Sequence, residues 1–433
     1  MHPTLFTIPS TLAGIPVFGF GWLLGLWAVA STLLVIAMLR KPGGRSELLA
    51  TLPALALSGA AIAFILPRVI EADGLAIRGY GVLLLVAVAS GVGLSLVRAR
   101  QRGIDPELIL SLATWLFVAG LIGARVFFVI EYWQDFLRPS SQNPQLIPSL
   151  LSMLNVTRGG LVVYGAMLAG AAALLVFVRK HRLTVLAMTD LVAPGVVLGM
   201  GIGRLGCFMT GCCFGGVCSL PWAVEFPYKS PPYIQQVERG QLPVHGLTFE
   251  GPGIASPVVR RVERESPAAL AGLKSGDRIT HVGGKEVRRV DEAVALLLEP
   301  RPVPGTVLVL RTSTAAAPVR LTLTEDPRVR EHSLAVHPAQ LYSAFDAILL
   351  CLFLLAYEPF QRRTGELTAL VLTLHPISRF LLEIVRVDEG AVFGTSLSIS
   401  QNISIAIFAG GLVLWAYLLT RPAAAAPQPQ PAV

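Results

Sequence analysis

Nine apolar runs set the terms for this 433-residue chain, near 17–39, 50–70, 79–97, 108–131, 161–178, 185–206, 340–357, 367–386 and 399–420. About 20 consecutive apolar residues carry a helix across the hydrocarbon of a bilayer. A helix satisfies its own backbone there, which an isolated strand cannot do. The runs therefore predict an all-α polytopic membrane protein of about nine transmembrane helices. Only 14% of residues are charged against 53% hydrophobic, too few charges to cover a soluble protein of this size. Basic clusters follow every second run: Arg40, Lys41 and Arg45; Arg98, Arg100 and Arg102; Arg179, Lys180 and Arg182; Arg362 and Arg363; and Arg421. The positive-inside rule then puts the amino terminus outside and the carboxyl terminus inside, with segments 132–160 and 207–337 outside. The same clusters account for the net charge of +8 without a nucleic-acid partner. The first run lacks a basic start and a small-residue cleavage site, so it reads as retained. The eighth is interrupted by His375, Arg379, Glu383 and Arg386, and 422–433 is a Pro/Ala-rich tail expected to be disordered.

Asp190 to Glu225 carries the strongest chemical content. An apolar helix delivers Arg204, between Gly203 and Gly206, at its far end, and four cysteines follow. An arginine there is costly in lipid unless it is paired, faces water or holds an anion. Arg204 thus marks a site at a membrane surface for a negatively charged headgroup. Cys207, Cys212, Cys213 and Cys218 fall on the outer side, where disulfides persist, and are candidates for stapling this loop. Three full pairings are open, although joining the adjacent Cys212 and Cys213 would strain the ring. Free thiols packed beside the site are the next reading. No metal is expected, because no histidine cluster accompanies these cysteines and their spacing matches no common zinc module. Cys351 sits mid-span and reads as core.

From 245 to 326 the chain turns polar, with apolar alternation at 258–262, 306–310 and 319–323 and a short amphipathic helix at 291–298. Ser266-Pro267-Ala268 through Gly272, Gly276-Asp277, Ile279 and Gly284-Lys285 resemble a PDZ domain. The resemblance implies a small β-rich periplasmic domain that adds an extended peptide as a strand beside a loop of backbone amides. Gly246, Leu247, Thr248 and Phe249 resemble that loop. A degenerate module serving as a spacer is the alternative.

The membrane blocks make one ordered pattern. Ile77-Arg78-Gly79-Tyr80-Gly81, Gly123-Ala124-Arg125, Arg158-Gly159-Gly160 with Tyr164-Gly165, and Asp190 with Gly203-Arg204-Leu205-Gly206 come first. His337-Pro338-Ala339-Gln340-Leu341-Tyr342 and Arg379-Phe380 with Glu383 and Arg386 complete it. In this order they resemble the bacterial prolipoprotein diacylglyceryl transferases over about 75–420, with the PDZ-like module inserted before His337. The resemblance implies an inner-membrane enzyme that moves the diacylglyceryl group of phosphatidylglycerol to the lipobox cysteine thiol of a secreted precursor, releasing glycerol phosphate, with no cofactor. It implies that Arg204 and Arg379 hold the phosphate and that Glu383 orients Arg379. Arg386 completes the pair or meets a headgroup, while Tyr80, Arg125, Tyr164, Gln340 and Tyr342 line the lipid site. The plainer alternative is that these polar groups tie spans together.

Two departures from the family pattern stand out. Tyr164 occupies the place of a histidine, and a phenol with an ordinary pKa of about 10 is a poor base at neutral pH. Electrostatic help from the arginines, another proton acceptor, or a lipid-positioning role for Tyr164 are the options. The asparagine and glutamate usual after the Gly-Arg motif give way to Cys207 and Cys212, with Thr210 between. Residues 1–74 are an extra two-span unit, and 75–240 with 332–421 form the transferase core. An intramembrane protease is disfavoured, since no His-Glu-x-x-His pair is present. A non-catalytic PDZ-bearing scaffold remains the rival.

Overall fold

The structure is a computed structural model of the whole chain. It describes residues 4–40, 44–70, 74–133, 153, 160, 162–250, 256–299, 305–315, 317–323, 330–387 and 394–422. Arg158, Gly159, segment 134–152 and nearly all of the Pro/Ala tail lie outside the described residues. Among the described residues, nine helices are long and apolar enough to cross a membrane, each overlapping one of the nine runs.

The chain divides into two compact units, Met1–Val82 and Leu83–Val433. In the first, α1 (Trp22–Leu39) packs beside α2 (Gly44–Ala60), which runs on through a π turn at Ala61–Ile65 into Leu66–Val69. Trp27 Nε1 donates to Ser58 Oγ at 3.1 Å across this pair. No residue of α1 is buried, as expected of a helix solvated by lipid rather than by protein. The apolar pattern gave no hint of two features: β2 (Thr11–Leu12) pairs antiparallel with β3 (Ile15–Pro16), and β1 (Thr4–Ile8) with β4 (Leu75–Arg78), closing the unit on itself. Tyr80 follows this strand as the second residue of α3 (Gly79–Gln101), and its ring is exposed.

In the second unit the membrane helices are the rest of α3, α4 (Pro106–Glu131), α5 (Val163–Lys180), α6 (Val185–Thr210), α10 (Ala339–Tyr357), α11 (Glu366–Val385) and α12 (Ile399–Leu419). Small residues set which helices touch. A Cβ on Gly91 would meet the Gly195 carbonyl at 2.7 Å, one on Gly201 the Ala344 carbonyl at 3.2 Å, and one on Gly411 the Leu372 carbonyl at 2.7 Å. Gly123 and Gly165 close α4 on α5 in the same way. Between lipid-solvated helices hydrophobicity supplies little net attraction, so close backbone approach and its dispersion energy hold the bundle.

Polar ties fix the end of α6 opposite to Arg204. The Asp190 carboxylate accepts from Gly365 N at 2.5 Å, Thr368 N at 2.8 Å, Thr368 Oγ1 at 2.6 Å and Gln361 Nε2 at 2.6 Å. It thereby caps the start of α11, satisfying amides no helical carbonyl can reach. Arg98, 2% exposed, donates to the Asp190 carbonyl at 2.9 Å and pairs with Glu358 at 2.9 Å. The plainer reading, a tie between spans, therefore describes Asp190.

Residues 211–338 form the polar part. Helix α7 (Pro231–Glu238) leads to β5 (Leu247–Phe249) and β6 (Val259–Val262), an antiparallel pair. A second sheet has the order β10-β9-β7-β8, from Val319–Thr322, Val307–Thr312, Ile279–Val282 and Lys285–Glu286. Helices α8 (Pro267–Leu270) and α9 (Val290–Leu298) complete it. One core joins Leu247, Phe249, Val290, Val294, Leu297 and Leu310 with Tyr233 and Val237 of α7. These sheets are small, and by themselves they do not show the PDZ fold. Helix α7, which sequence periodicity did not single out, packs against both β5 and α9.

Candidate active site

The site lies where α6, α11 and the loop after α6 meet. Arg204 comes six residues before the end of α6 and is half-buried. Among the described residues it makes no hydrogen bond and no ion pair. Its charge does reach two groups: the Cys213 thiol, which also feels Arg386, and the His375 imidazole, which also feels Arg379. Guanidinium groups from α6 and α11 thus share one environment.

Helix α11 is built to hold its cations there. Arg379 donates to the Glu383 carboxylate one turn on and to Ser400 Oγ at 2.8 Å. Arg386, the residue capping α11, approaches the same carboxylate at 3.6 Å. Ser398 Oγ donates to Glu383 Oε1 at 3.1 Å, so this carboxylate, 6% exposed, is fully engaged. Both guanidinium groups meet this one carboxylate in a site shielded from bulk water, where ion pairs are screened little. His375 lies one turn before Arg379, near Asp346 of α10, whose carboxylate accepts from Ser378 Oγ at 2.7 Å. His375 was read from sequence only as an interruption of a span. Its i, i+4 spacing to Arg379 was the available sign of a shared face.

The loop after α6 folds back onto the same place. Gly211 ends the helix in the left-handed conformation (φ 78°) and Cys213 follows at φ 59°. Gly215 N donates to the His337 carbonyl at 2.9 Å, and Gly216 N to the Val385 carbonyl at 2.8 Å, so the loop is laced to the starts and ends of α10 and α11. A side chain at Gly215 would collide with His337 Cβ at 2.6 Å. Gln340, fully buried, donates through Nε2 to the Cys212 carbonyl at 2.7 Å. Tyr342 accepts from Trp222 Nε1 at 2.8 Å and lies 3.4 Å from His337 Nδ1. Cys207, Cys212 and Cys213 bring their sulfurs within 4.8 Å of one another, while Cys218 is not part of that group. The Cys212 thiol donates to the Cys207 carbonyl at 3.7 Å, holding the loop against the last turn of α6.

Other expected site residues are placed elsewhere in the second unit. Arg125 donates to the Met153 carbonyl at 2.7 Å and the Gly160 carbonyl at 3.0 Å and lies over the Phe128 ring, tying down the chain before α5. Tyr164 is half-buried in the first turn of α5, with no side-chain hydrogen bond among the described residues. An apolar cavity of about 500 Å³ between α3, α4 and α6 runs from Ser95 to Gly203, the neighbour of Arg204. A second, of about 700 Å³, borders α4, α5, α6 and α11 and shares Leu116, Phe117, Val192 and Val196 with the first. Of the amide loop, Leu247 and Phe249 bury their side chains in the module core, and Leu247 N already donates to the Val244 carbonyl at 2.8 Å.

A polytopic helical membrane protein with clustered arginines beside lipid-sized apolar cavities is the class that the fold and this geometry define. Comparison with known proteins sharpens it. The family model described as prolipoprotein diacylglyceryl transferase matches residues 67–417, and the chain belongs to that family. A phosphatidylglycerol–prolipoprotein diacylglyceryl transferase of Rhodopirellula baltica is 34% identical over 95% of this chain and 88% of its own length. One of Synechococcus elongatus is 37% identical over 39% of this chain and 56% of its own, and one of Clostridium tetani 32% over 37% and 60%. These two shorter matches each span less than two thirds of the relative concerned.

Proposed function

We propose that this protein transfers the diacylglyceryl group of phosphatidylglycerol to the lipobox cysteine thiol of prolipoproteins, the first step of bacterial lipoprotein maturation. The observation that carries this reading is Arg204, a guanidinium half-buried at the end of a membrane helix with no anionic partner among the described residues. Arg379, from a second helix, faces the same imidazole. A phosphodiester fills that need. Two guanidinium forks bind its oxygens and neutralise the charge that grows on the leaving phosphate as the carbon–oxygen bond breaks. Glu383 positions Arg379 and Arg386 rather than meeting substrate. The acyl chains occupy the apolar cavities that begin beside Gly203. His375, one turn before Arg379, accepts the thiol proton, the task for which Tyr164 is unsuited; Tyr164 positions lipid.

In this reading the site opens to the outer face, with the amino terminus outside and the carboxyl terminus inside, as the basic clusters require. Residues 1–74 are an added unit, and 245–326 are a PDZ-like module. Helix α7 packs against both β5 and α9, so capture of a precursor or envelope partner by strand addition to β5 would compete with α7 wherever the two overlap. Complementation of a strain depleted of its own transferase tests the function. The wild-type chain restores lipoprotein modification and Arg204→Ala inserts normally without restoring it. Rescue by Arg204→Ala, or none by the wild type, refutes the reading and favours a scaffold.

A further inference from the structure

The three cysteines at the end of α6 are free thiols in the structure, with their sulfurs within 4.8 Å of one another. Cys207 lies in the last turn of α6, three residues beyond Arg204, and the left-handed residues Gly211 and Cys213, on either side of Cys212, turn the chain back on it. Positive φ is uncommon for a residue with a side chain, so this fold-back is held by its surroundings. Those surroundings are specific. Gln340 Nε2 fixes the Cys212 carbonyl, and Thr210 Oγ1 lies 3.3 Å from Cys212 Sγ. Three mutually close thiols can make one disulfide and must strand the third. Bridging the neighbours Cys212 and Cys213 would strain the ring, and Cys218 stands apart from the group.

Three thiolates converging within 4.8 Å suit a soft cation instead. Tetrahedral zinc with Zn–S bonds of about 2.3 Å separates its sulfurs by about 3.8 Å, within reach of side-chain adjustment here. Three thiolates around Zn²⁺ carry one net negative charge, and Arg204, three residues before Cys207 on the same helix, places a positive charge beside it. Structural zinc sites are closed by a fourth protein ligand, whereas catalytic ones keep that position open. No fourth Cys, His, Asp or Glu joins the group among the described residues.

We propose that Cys207, Cys212 and Cys213 bind one zinc ion and that its fourth ligand is the lipobox thiol of the protein substrate, held as thiolate beside the phosphate at Arg204. The inference rests on the transferase reading. It explains how a chain with Tyr164 in place of a histidine generates its nucleophile. Binding to zinc acidifies the thiol, whose proton passes to His375. The sulfur lone pair then forms the bond to the glyceryl carbon, and the carbon–oxygen pair departs with the phosphate of glycerol phosphate. The thioether product is a poor ligand and leaves the zinc, whose oxidation state is unchanged throughout.

Full-length protein in detergent, analysed for metal and free thiols, tests this. One zinc per chain is expected, retained in Cys218→Ser and reduced at least tenfold in Cys207→Ser, Cys212→Ser and Cys213→Ser. With cobalt in place of zinc, a near-ultraviolet thiolate-to-cobalt band should intensify on adding a lipobox-cysteine peptide, but not its serine counterpart. These wild-type measurements need no variant to fold. Wild-type protein that transfers without metal, or that holds a disulfide within the trio, overturns the zinc site and leaves the transferase reading standing. A cobalt band indifferent to the peptide overturns thiol ligation. Zinc-loaded protein that transfers nothing refutes the transferase reading itself.

Discussion

Glu383 shows how much one buried carboxylate can organise. It accepts from Arg379 and Ser398 and lies 3.6 Å from Arg386. Removing one partner of such a buried cluster typically costs about 3–5 kcal/mol, because the remaining charges lose compensation. Glu383→Gln keeps the shape and removes the charge, so Arg379 should lose its fixed pose. We expect transfer to fall about 10²–10³-fold, the range for losing one preorganised charge-stabilising group, with membrane insertion unchanged. In vitro transfer to a lipobox peptide measures it. At the same scale, His375→Gln should abolish transfer at neutral pH, whereas Tyr164→Phe should retain appreciable activity. The opposite ranking would make the phenol the proton acceptor. Legibility here was uneven. Arg204, Arg379 and Glu383 stand out because charges in apolar runs are rare. His375 did not, since its approach to Arg204 depends on two helices meeting. Arg125 announced itself as strongly as Arg204, and only the fold reveals its carbonyl partners at Met153 and Gly160.

The helices are where sequence and structure agree most closely. Hydropathy locates all nine because a membrane demands length and apolarity of every span, whatever its neighbours. It does not say which spans touch. That information sits in glycines such as Gly123, whose absent side chain lets the Gly165 backbone approach. Gly123→Val would force α4 and α5 apart, and Arg125, two residues on, would lose its hold on Met153 and Gly160. We expect a lowered thermal midpoint in detergent and impaired transfer, while Gly410→Ala, which faces open space, should change neither. The β1–β4 pair and helix α7 escaped detection for the opposite reason. They are short, and what stabilises them is remote in sequence.

For the whole molecule, the polar insert and the membrane core share more than a connection. Tyr233 and Val237, which precede the insert, are buried in its core, and Arg239 donates to the Val387 carbonyl beside Arg386. Excising 245–326 would therefore expose α7 as well as delete a module. We expect the excision to lower transfer to every precursor alike. Loss confined to particular precursors would instead support recruitment by the module, and unchanged rates for all would remove both roles. Lipidation of several precursors, compared by mass shift, distinguishes these outcomes.

Helix α7 is wedged beside β5 on one side and continuous with the cysteine-bearing loop on the other. A strand that docked on β5 where α7 covers it would lever the helix out, tugging on Arg239 and hence on the backbone next to Arg386. Occupancy of the polar module would then be felt as slack or tension beside Arg386, making lipid transfer answerable to whatever binds there.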